Sequence, residues 1–390
     1  MRNLNVLSST ALSLPSGHLS AIAVDTEEDV IFAASESIIG DNTNIQVWKV
    51  DEDHGLVSHS LFVAKSVLTL GEQQVFSDFN TPVASTMGTQ VVSFTVIAET
   101  HTLCLVTRSG DIAVLSLEHG VDAPQSFYVV GTLAPYSIIT ASFSPDFSLL
   151  VIITPYPPTL HLMSLTSFTL ILSTPLSTDY RGAAPPINVG WGSKATQFHG
   201  SLGKGAAQAQ SDTEHGCTSS PDDDTFPRVS WRGDAQFFAV SDLEGPDGVP
   251  GKRVIRVYNR AGVLQSTAED VPGLEHVLAW RPSGGLIAAV QRFGSIPGGD
   301  AGVKDGEGIS HALGKGTDGR HDVVFFERNG LRHGEFSLRE SGTKNSNISV
   351  YVPSRPWRPW GYRVRELGWN ADSSVLGVWM ERESYDVGGC

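Results

Sequence analysis

The apolar residues of this chain fall in short runs rather than in helical stripes. Leu149 to Ile153, Phe237 to Val240, Leu286 to Val290 and Val375 to Trp379 each stand between turn-forming residues. Short runs bounded by Gly, Pro, Asp or Ser predict β-strands, whereas a helix needs about ten residues with an apolar position every third or fourth. No amphipathic helix of useful length can be traced in the sequence.

The strands belong to a degenerate repeat. Ala141-Ser142-Phe143-Ser144-Pro145-Asp146 aligns with Val229-Ser230-Trp231-Arg232-Gly233-Asp234, with Leu278-Ala279-Trp280-Arg281-Pro282-Ser283 and with Leu367-Gly368-Trp369-Asn370-Ala371-Asp372. Each copy is an aromatic, a tight turn closing on Asp or Ser, and then an apolar run. Val189-Gly190-Trp191-Gly192-Ser193-Lys194 is a weaker copy. The aromatics at 143, 191, 231, 280 and 369 are mostly 40 to 49 apart, about the length of a four-stranded propeller blade, with a long insertion before 369. A second element repeats further along, where Val257-Tyr258-Asn259-Arg260-Ala261-Gly262-Val263 matches Phe325-Phe326-Glu327-Arg328-Asn329-Gly330-Leu331. It predicts a third strand ending at Tyr or Phe and a turn whose Gly takes the positive φ that starts a fourth. Ile45-Gln46-Val47-Trp48 looks like the same third strand in the first copy.

A strand–turn–strand unit of this kind cannot bury both of its faces alone, so its copies must stack. The predicted fold is all-β: one WD40-like β-propeller of about seven blades occupying residues 1–390. After Val375 to Met380 only Glu381 to Cys390 remain, so the last blade is expected to be truncated. Polar or Gly-rich insertions at about 203–224, 292–320 and 340–361 are expected to be mobile, because they bury too little apolar surface to offset the entropy of ordering.

Composition narrows the class further. Hydrophobic residues make up 40% and charged ones 18%, which excludes a disordered chain. A formal charge of −15 opposes wholesale gripping of phosphate. Cys104, Cys217 and Cys390 are isolated, without CxxC spacing, so a reducing compartment is expected rather than a disulfide framework or zinc site. Met1-Arg2-Asn3-Leu4 does not open a signal peptide, and the apolar region Ser137 to Leu176 is broken by Asp146 and several prolines. No membrane partner is expected. The expected location is the cytoplasm, with the nucleus as a second place. Asn347-Ile348-Ser349 fits a glycosylation acceptor and reads as chance.

No catalytic constellation survives inspection. Gly308 to Gly314 followed by Lys315-Gly316 is one residue too long for a phosphate loop and has Gly where Ser or Thr is required. Gly308-Ile309-Ser310-His311-Ala312 lacks the second Gly of a nucleophile elbow. His199 beside Phe198 reads as a packed or turn histidine, and Asp222-Asp223-Asp224 as a solvated acidic loop that could attract a cation. Asp146, Asp234 and Asp372 recur at the same turn and read as turn formers, since acid–base catalysis needs carboxylates converging on one pocket. No catalytic residue, cofactor or metal site is expected.

One segment stands out. Arg355-Pro356-Trp357-Arg358-Pro359-Trp360-Gly361-Tyr362-Arg363-Val364-Arg365 interleaves four arginines with three large aromatics in an acidic chain. Arg355, Trp357, Arg358, Trp360 and Arg363 are the candidate partner-binding residues. Three readings stay open: contact with a protein partner, packing on the domain itself with arginine stems over Trp faces, and contact with RNA.

Several strings together resemble a known family. Val189-Gly190-Trp191-Gly192 continuing to Thr196-Gln197-Phe198-His199-Gly200 is similar to the amino-terminal domain of the Elongator scaffold subunit, the IKAP family. So are Val229 to Asp234 with Gln236 to Ser241, Leu264-Gln265-Ser266-Thr267, Leu367 to Leu376 and the opening Met1-Arg2-Asn3-Leu4. The match is dense from about residue 187 onward and loose between about 20 and 180. The resemblance implies a first propeller of a large non-enzymatic scaffold. Its partners would be other Elongator subunits, among them the radical-SAM acetyltransferase subunit that modifies wobble uridine (U34) in tRNA. It would reach tRNA only indirectly, and the family's dimerisation region has no counterpart in these residues. The alternatives are a propeller interaction module in trafficking or chromatin, or a propeller hydrolase; the latter's Ser-x-Asp-x-Gly-x-Thr-Trp boxes are not found.

Overall fold

The computed structural model describes residues 14, 17–39, 42–51, 55–65, 90–117, 127–133, 137–155, 157–176, 223–244, 251–271, 273–292, 321–338 and 362–382. Apart from one short 3-10 turn at Ala98–Thr100, the regular structure among them is antiparallel strand. No helix among the described residues is long and apolar enough to cross a membrane.

The chain divides into two compact units. The first holds three four-stranded sheets, each with its strands in chain order. They are β1 (His18–Asp25), β2 (Val30–Ile39), β3 (Asn42–Asp51) and β4 (Gly55–Lys65); β5 (Val91–Ile97), β6 (Thr102–Thr107), β7 (Asp111–Ser116) and β8 (Tyr128–Thr132); and β9 (Thr140–Phe143), β10 (Leu149–Thr154), β11 (Thr159–Ser164) and β12 (Leu170–Pro175). The second unit holds β13 (Arg228–Trp231), β14 (Phe237–Glu244), β15 (Lys252–Asn259) and β16 (Leu264–Thr267), then β17 (Leu274–Trp280), β18 (Leu286–Arg292), β19 (His321–Glu327) and β20 (Arg332–Ser337). Its last described sheet is the hairpin β21 (Tyr362–Trp369) and β22 (Leu376–Arg382).

The repeat read from the sequence is a repeat of register. Phe143, Trp231, Trp280 and Trp369 each end the first strand of a sheet, and each pairs across the turn with Leu150, Phe238, Ile287 and Leu376 respectively. The four aromatics therefore occupy one structural position. The second element holds as well: Gly262 at φ 77° and Gly330 at φ 88° turn the third strand into the fourth. The weak copy at Val189 to Lys194 lies outside the described residues, and the number of blades is left open by them.

Alternation along each strand explains the stacking. In β6, Leu103 and Leu105 pack with Ile45, Val47 and Phe62 of the sheet before, while Cys104 and Val106 pack with Leu150 and Ile152 of the sheet after. In β18, Ile287 and Ala289 face Ala239, Ile255 and Val257, while Ala288 and Val290 face Val364 and Leu367. Each large aliphatic side chain so buried contributes about 1.5–3 kcal/mol. Cys104 is buried in this packing, which pushes its thiol up to about 12 and keeps it from reacting as a thiolate.

Polar groups stitch neighbouring sheets together. The buried Glu36 carboxylate accepts the backbone N–H groups of Gln90 at 2.8 Å and Val91 at 2.7 Å. Gly233 N–H donates to Pro282 O at 3.1 Å, and Ser283 N–H to Ser373 Oγ at 2.8 Å. At the next level out, Ser266 Oγ donates to Arg328 O at 2.6 Å, which brings the Gly330 turn onto β16. A Cβ on Gly330 would lie 2.2 Å from Thr267 O, whereas one on Gly334 would meet nothing within 4 Å. Gly330→Ala should therefore lower stability by about 2 kcal/mol or more, and Gly334→Ala should stay within about 1 kcal/mol of wild type. Urea midpoints of the two variants check this; equal midpoints would show that the turn does not set the sheet-to-sheet fit.

Candidate functional site

The arginine–aromatic segment meets the described structure only at its end. Arg355, Trp357, Arg358 and Trp360 lie outside the described residues. Arg363 stands on β21 opposite Glu381 of β22. Arg365 donates through Nε to Glu381 Oε2 at 2.5 Å, with both side chains about half exposed, so this pair adds little stability. The inward face of the hairpin carries Val364, Leu367, Trp369, Leu376, Val378 and Met380 against β17, β18, β19 and Leu338. Its outward face carries Glu366 paired with Trp379, and Trp379 is 69% exposed. The sequence reading placed Trp379 inside an apolar run. Strand parity was the missed signal: Val378 and Met380 turn in, so the residue between them must turn out.

A second concentration of chemistry lies where the chain enters β13. Arg253, from β15, donates through Nε and a terminal nitrogen to both oxygens of Asp223, at 2.6 and 2.5 Å. It also donates to Phe226 O at 3.1 Å and Ser241 O at 3.4 Å. The side chains of this pair are 0% and 1% exposed. Arg228 holds Asp224 Oδ2, and Asp224 Oδ1 accepts Phe226 N–H at 3.1 Å. The expectation of a solvated acidic loop at Asp223 and Asp224 is thus corrected, because the cation that the run attracts is the chain's own guanidinium. Asp222 lies outside the described residues.

His276 of β17 points into this centre. It is buried, and its Nδ1 stands 3.8 Å from Asp224 Oδ1, too far for a hydrogen bond, and makes none elsewhere. Burial holds this imidazole below its ordinary value, against the pull of Asp224. Donor atoms of Asp223, Asp224 and His276 lie within 4.8 Å of one another, close enough for one metal ion to touch. Two guanidinium groups already balance the two carboxylates, however, and a divalent ion would leave excess positive charge buried. The arrangement suits an anchor better than a metal centre. Close by, His321 Nε2 and Glu275 Oε1 form a buried pair at 3.2 Å, and Arg256 holds Glu244 at 2.8 Å. Burial raises the Asp242 carboxyl above its usual range, opposed by the Leu243 N–H and by Arg253 and Arg256.

The recurrent aspartates behave as turn formers. Asp234 Oδ1 accepts Gln236 N–H at 3.0 Å, and its hydrogen bond to Arg232 is the main cause holding the carboxyl below its usual range. Asp372 accepts Ser374 N–H at 2.8 Å, and Asp146 accepts the Ser144 hydroxyl at 2.7 Å. Asp234 and Asp372 are spent within their own turns, whereas Asp146 also pairs with Arg260 at 2.8 Å. Arginines at these turns lie over aromatic rings: Arg232 and Arg328 are 4.5 and 4.8 Å from the Phe237 centroid, and Arg281 is 5.7 Å from that of Trp369. His199, Gly308 to Ala312 and Lys315 lie outside the described residues.

Comparison with known proteins gives a consistent match. The family described as "ELP1 first N-terminal beta-propeller" matches residues 1–387. The chain is 38% identical over 291 residues to Elongator complex protein 1 of Oryctolagus cuniculus, covering 75% of this chain and 18% of that protein. It is 29% identical over 337 residues to the Saccharomyces cerevisiae protein of that name, covering 79% and 22%. The Schizosaccharomyces pombe protein is 28% identical over 372 residues, covering 94% and 24%. The chain thus spans about a fifth of the length of these relatives.

The buried centre makes two checkable statements. Asp223→Asn removes the counter-charge of a buried guanidinium and should cost about 3–5 kcal/mol, read from chemical denaturation; a loss below about 1 kcal/mol would mean the pair is exposed in solution. His276 binds its proton more weakly when folded than when unfolded, so unfolding takes up a proton as pH falls below the ordinary 6.5. Its contribution is whole above that pH and is lost below it. Burial lowers the His161 value too, with the same sign. His276→Gln should flatten part of the acid-side fall in melting temperature, and an unchanged profile would assign that fall elsewhere.

Proposed function

The chain belongs to the ELP1 first N-terminal β-propeller family, and from that premise we propose that it is a non-catalytic scaffold propeller of the Elongator complex. It supports wobble-uridine modification of tRNA by holding other subunits, the radical-SAM acetyltransferase subunit among them, and it does so in the cytoplasm. The observation that carries this reading is Trp379, a large aromatic 69% exposed on a rigid hairpin directly after the arginine–aromatic segment. Exposed Trp and Arg on a fixed backbone are the residue types that dominate protein interfaces. The recurrent carboxylates, by contrast, are committed to turns and ion pairs, which leaves them without the convergence that acid–base chemistry needs.

The test uses the full-length subunit with Trp357, Arg358, Trp360 and Trp379 replaced by Ala. Losing such an anchor typically costs about 2 kcal/mol, or roughly thirtyfold in affinity. Co-purification of the catalytic subunit and the level of modified wobble uridine should both fall, while circular dichroism of the propeller stays unchanged. A variant that folds, assembles and modifies normally would place the contact surface elsewhere. Recovery of the full-length subunit in a membrane or organelle fraction would overturn the compartment.

A further inference from the structure

The segment that leads into β13 is held in a conformation that its sequence resists. Thr225 stands at φ 64°, a left-handed value that a β-branched residue adopts only under constraint. The constraint is a pair of consecutive carboxylates. Asp223 Oδ1 accepts Thr225 N–H at 2.7 Å, and Asp224 Oδ1 accepts Phe226 N–H at 3.1 Å. The two are anchored differently. The side chains of Asp223 and Arg253 are at most 1% exposed, whereas those of Asp224 and Arg228 are 33% and 37% exposed, so water screens the second pair.

His276 is aimed at the looser carboxylate. It is 5% exposed, and its Nδ1, which makes no hydrogen bond, stands 3.8 Å from the same Oδ1 that holds Phe226 N–H. That gap is what a neutral ring leaves when its Nδ1 lone pair faces a carboxylate, since neither atom can donate. A protonated ring reverses the contact. Its N–H donates to Oδ1 at about 2.8 Å, which draws the carboxylate about 1 Å toward β17. Phe226 N–H, already near the long end of hydrogen-bond range, then loses that acceptor.

We propose that Asp223 to Phe226 form an acid-operated latch, in which protonation of His276 transfers Asp224 from Phe226 N–H to the imidazolium and lets Thr225 leave its left-handed conformation. Asp223, locked to Arg253, is the pivot. The charged groups on this side of β17 are, among the described residues, Asp223 and Asp224, Arg228 of β13, Arg253 of β15 and, by strand parity with Val324, Asp322 of β19. β14 and β18 bring the neutral Ser241 and Gln291, β21 packs on the opposite face, and Glu275 is the neighbour on β17 itself. One added proton is a smaller charge than a divalent ion, and Glu275 and Asp322 offset it. Burial holds His276 below its ordinary 6.5 in the resting latch, and the ion pair with Asp224 raises it in the transferred one. The transferred form therefore binds the proton more tightly and gains population as pH falls below 6.5, while the resting form is whole above it.

Nuclear magnetic resonance of the chain with isotope-labelled phenylalanine and histidine reads the transfer without any variant. Between about pH 7.5 and pH 5.5 the protection of the Phe226 amide against hydrogen exchange should fall about tenfold. This window stays above the isoelectric point near 5.2. The midpoint should match the titration of the His276 ring, and the Phe238 amide of β14 should keep its protection. His276→Leu should leave Phe226 equally protected at both pH values. Thr225→Gly removes the strain of the resting form and should move the midpoint to lower pH. A Phe226 amide that stays protected while His276 titrates overturns the proposal, as does a ring that stays neutral throughout. So does the same loss of protection in folded His276→Leu, or a Thr225→Gly midpoint at or above that of wild type. None of these outcomes touches the scaffold reading, which is tested through Trp379 and the segment before it.

Discussion

The stack rests on sheets that are apolar on both faces. A sheet with one wet face can end a structure, but β6, with Leu103 and Leu105 on one side and Cys104 and Val106 on the other, cannot. Left alone, it would expose on each side as much apolar surface as it buries. The same holds for β18 and β19 in the second unit, where successive residues divide between the preceding and following sheets. Stacking is thus the condition under which any one sheet exists. It explains why the repeated aromatic ends the first strand: Trp280 sits 6.5 Å from Phe237 of the sheet before, and Trp369 sits 6.5 Å from Phe325. These two aromatics are joints between sheets, and the indole N–H of Trp369 donates across its joint to Ala279 O at 3.3 Å.

Charge inside such a stack survives only where several donors converge. Glu36 is held by two backbone N–H groups from residues 54 and 55 positions further on. Asp223 meets Arg253 across 30 positions, and Glu275 meets His321 across 46. Buried pairs of this kind add little net stability relative to an apolar replacement, because desolvation offsets the attraction. They do penalise wrong partners, since a mispaired strand would leave a bare buried charge. Repeated sheets of similar sequence face that hazard more than other folds, and the pairs join segments whose apolar patterns alone are nearly interchangeable.

Periodicity and turn chemistry made the fold legible, for a physical reason. Strand parity and the positive φ at Gly262 and Gly330 are local properties, so Phe143, Trp231, Trp280 and Trp369 could be aligned before any sheet was known. The site was less legible because its pairs are distant in sequence. Nothing local distinguishes Asp223 from a solvated acid; its partner Arg253 looks like one more basic residue in a strand until β14 and β15 bring the two together. Nothing local marks His276 either, since Asp224 and Asp223 stand some fifty residues away in the chain. Trp379 was the exception, since counting alternate residues along β22 would have turned it outward. Most of the arginine–aromatic segment lies beyond the described residues, so its three readings stay open, with Arg363 alone of the five candidate residues placed on a strand.

A rigid stack of this kind limits what function can be built on it. Its sheets cannot close over a substrate without giving up the face-to-face packing that holds them, so lids and hinges would have to come from loops. What the sheets offer without cost is fixed geometry at their ends and edges. The feature that departs from pure packing uses that geometry through a side chain. Trp379 presents a side chain that gains by desolvation in a partner's pocket, and its contribution depends on the shape of that pocket.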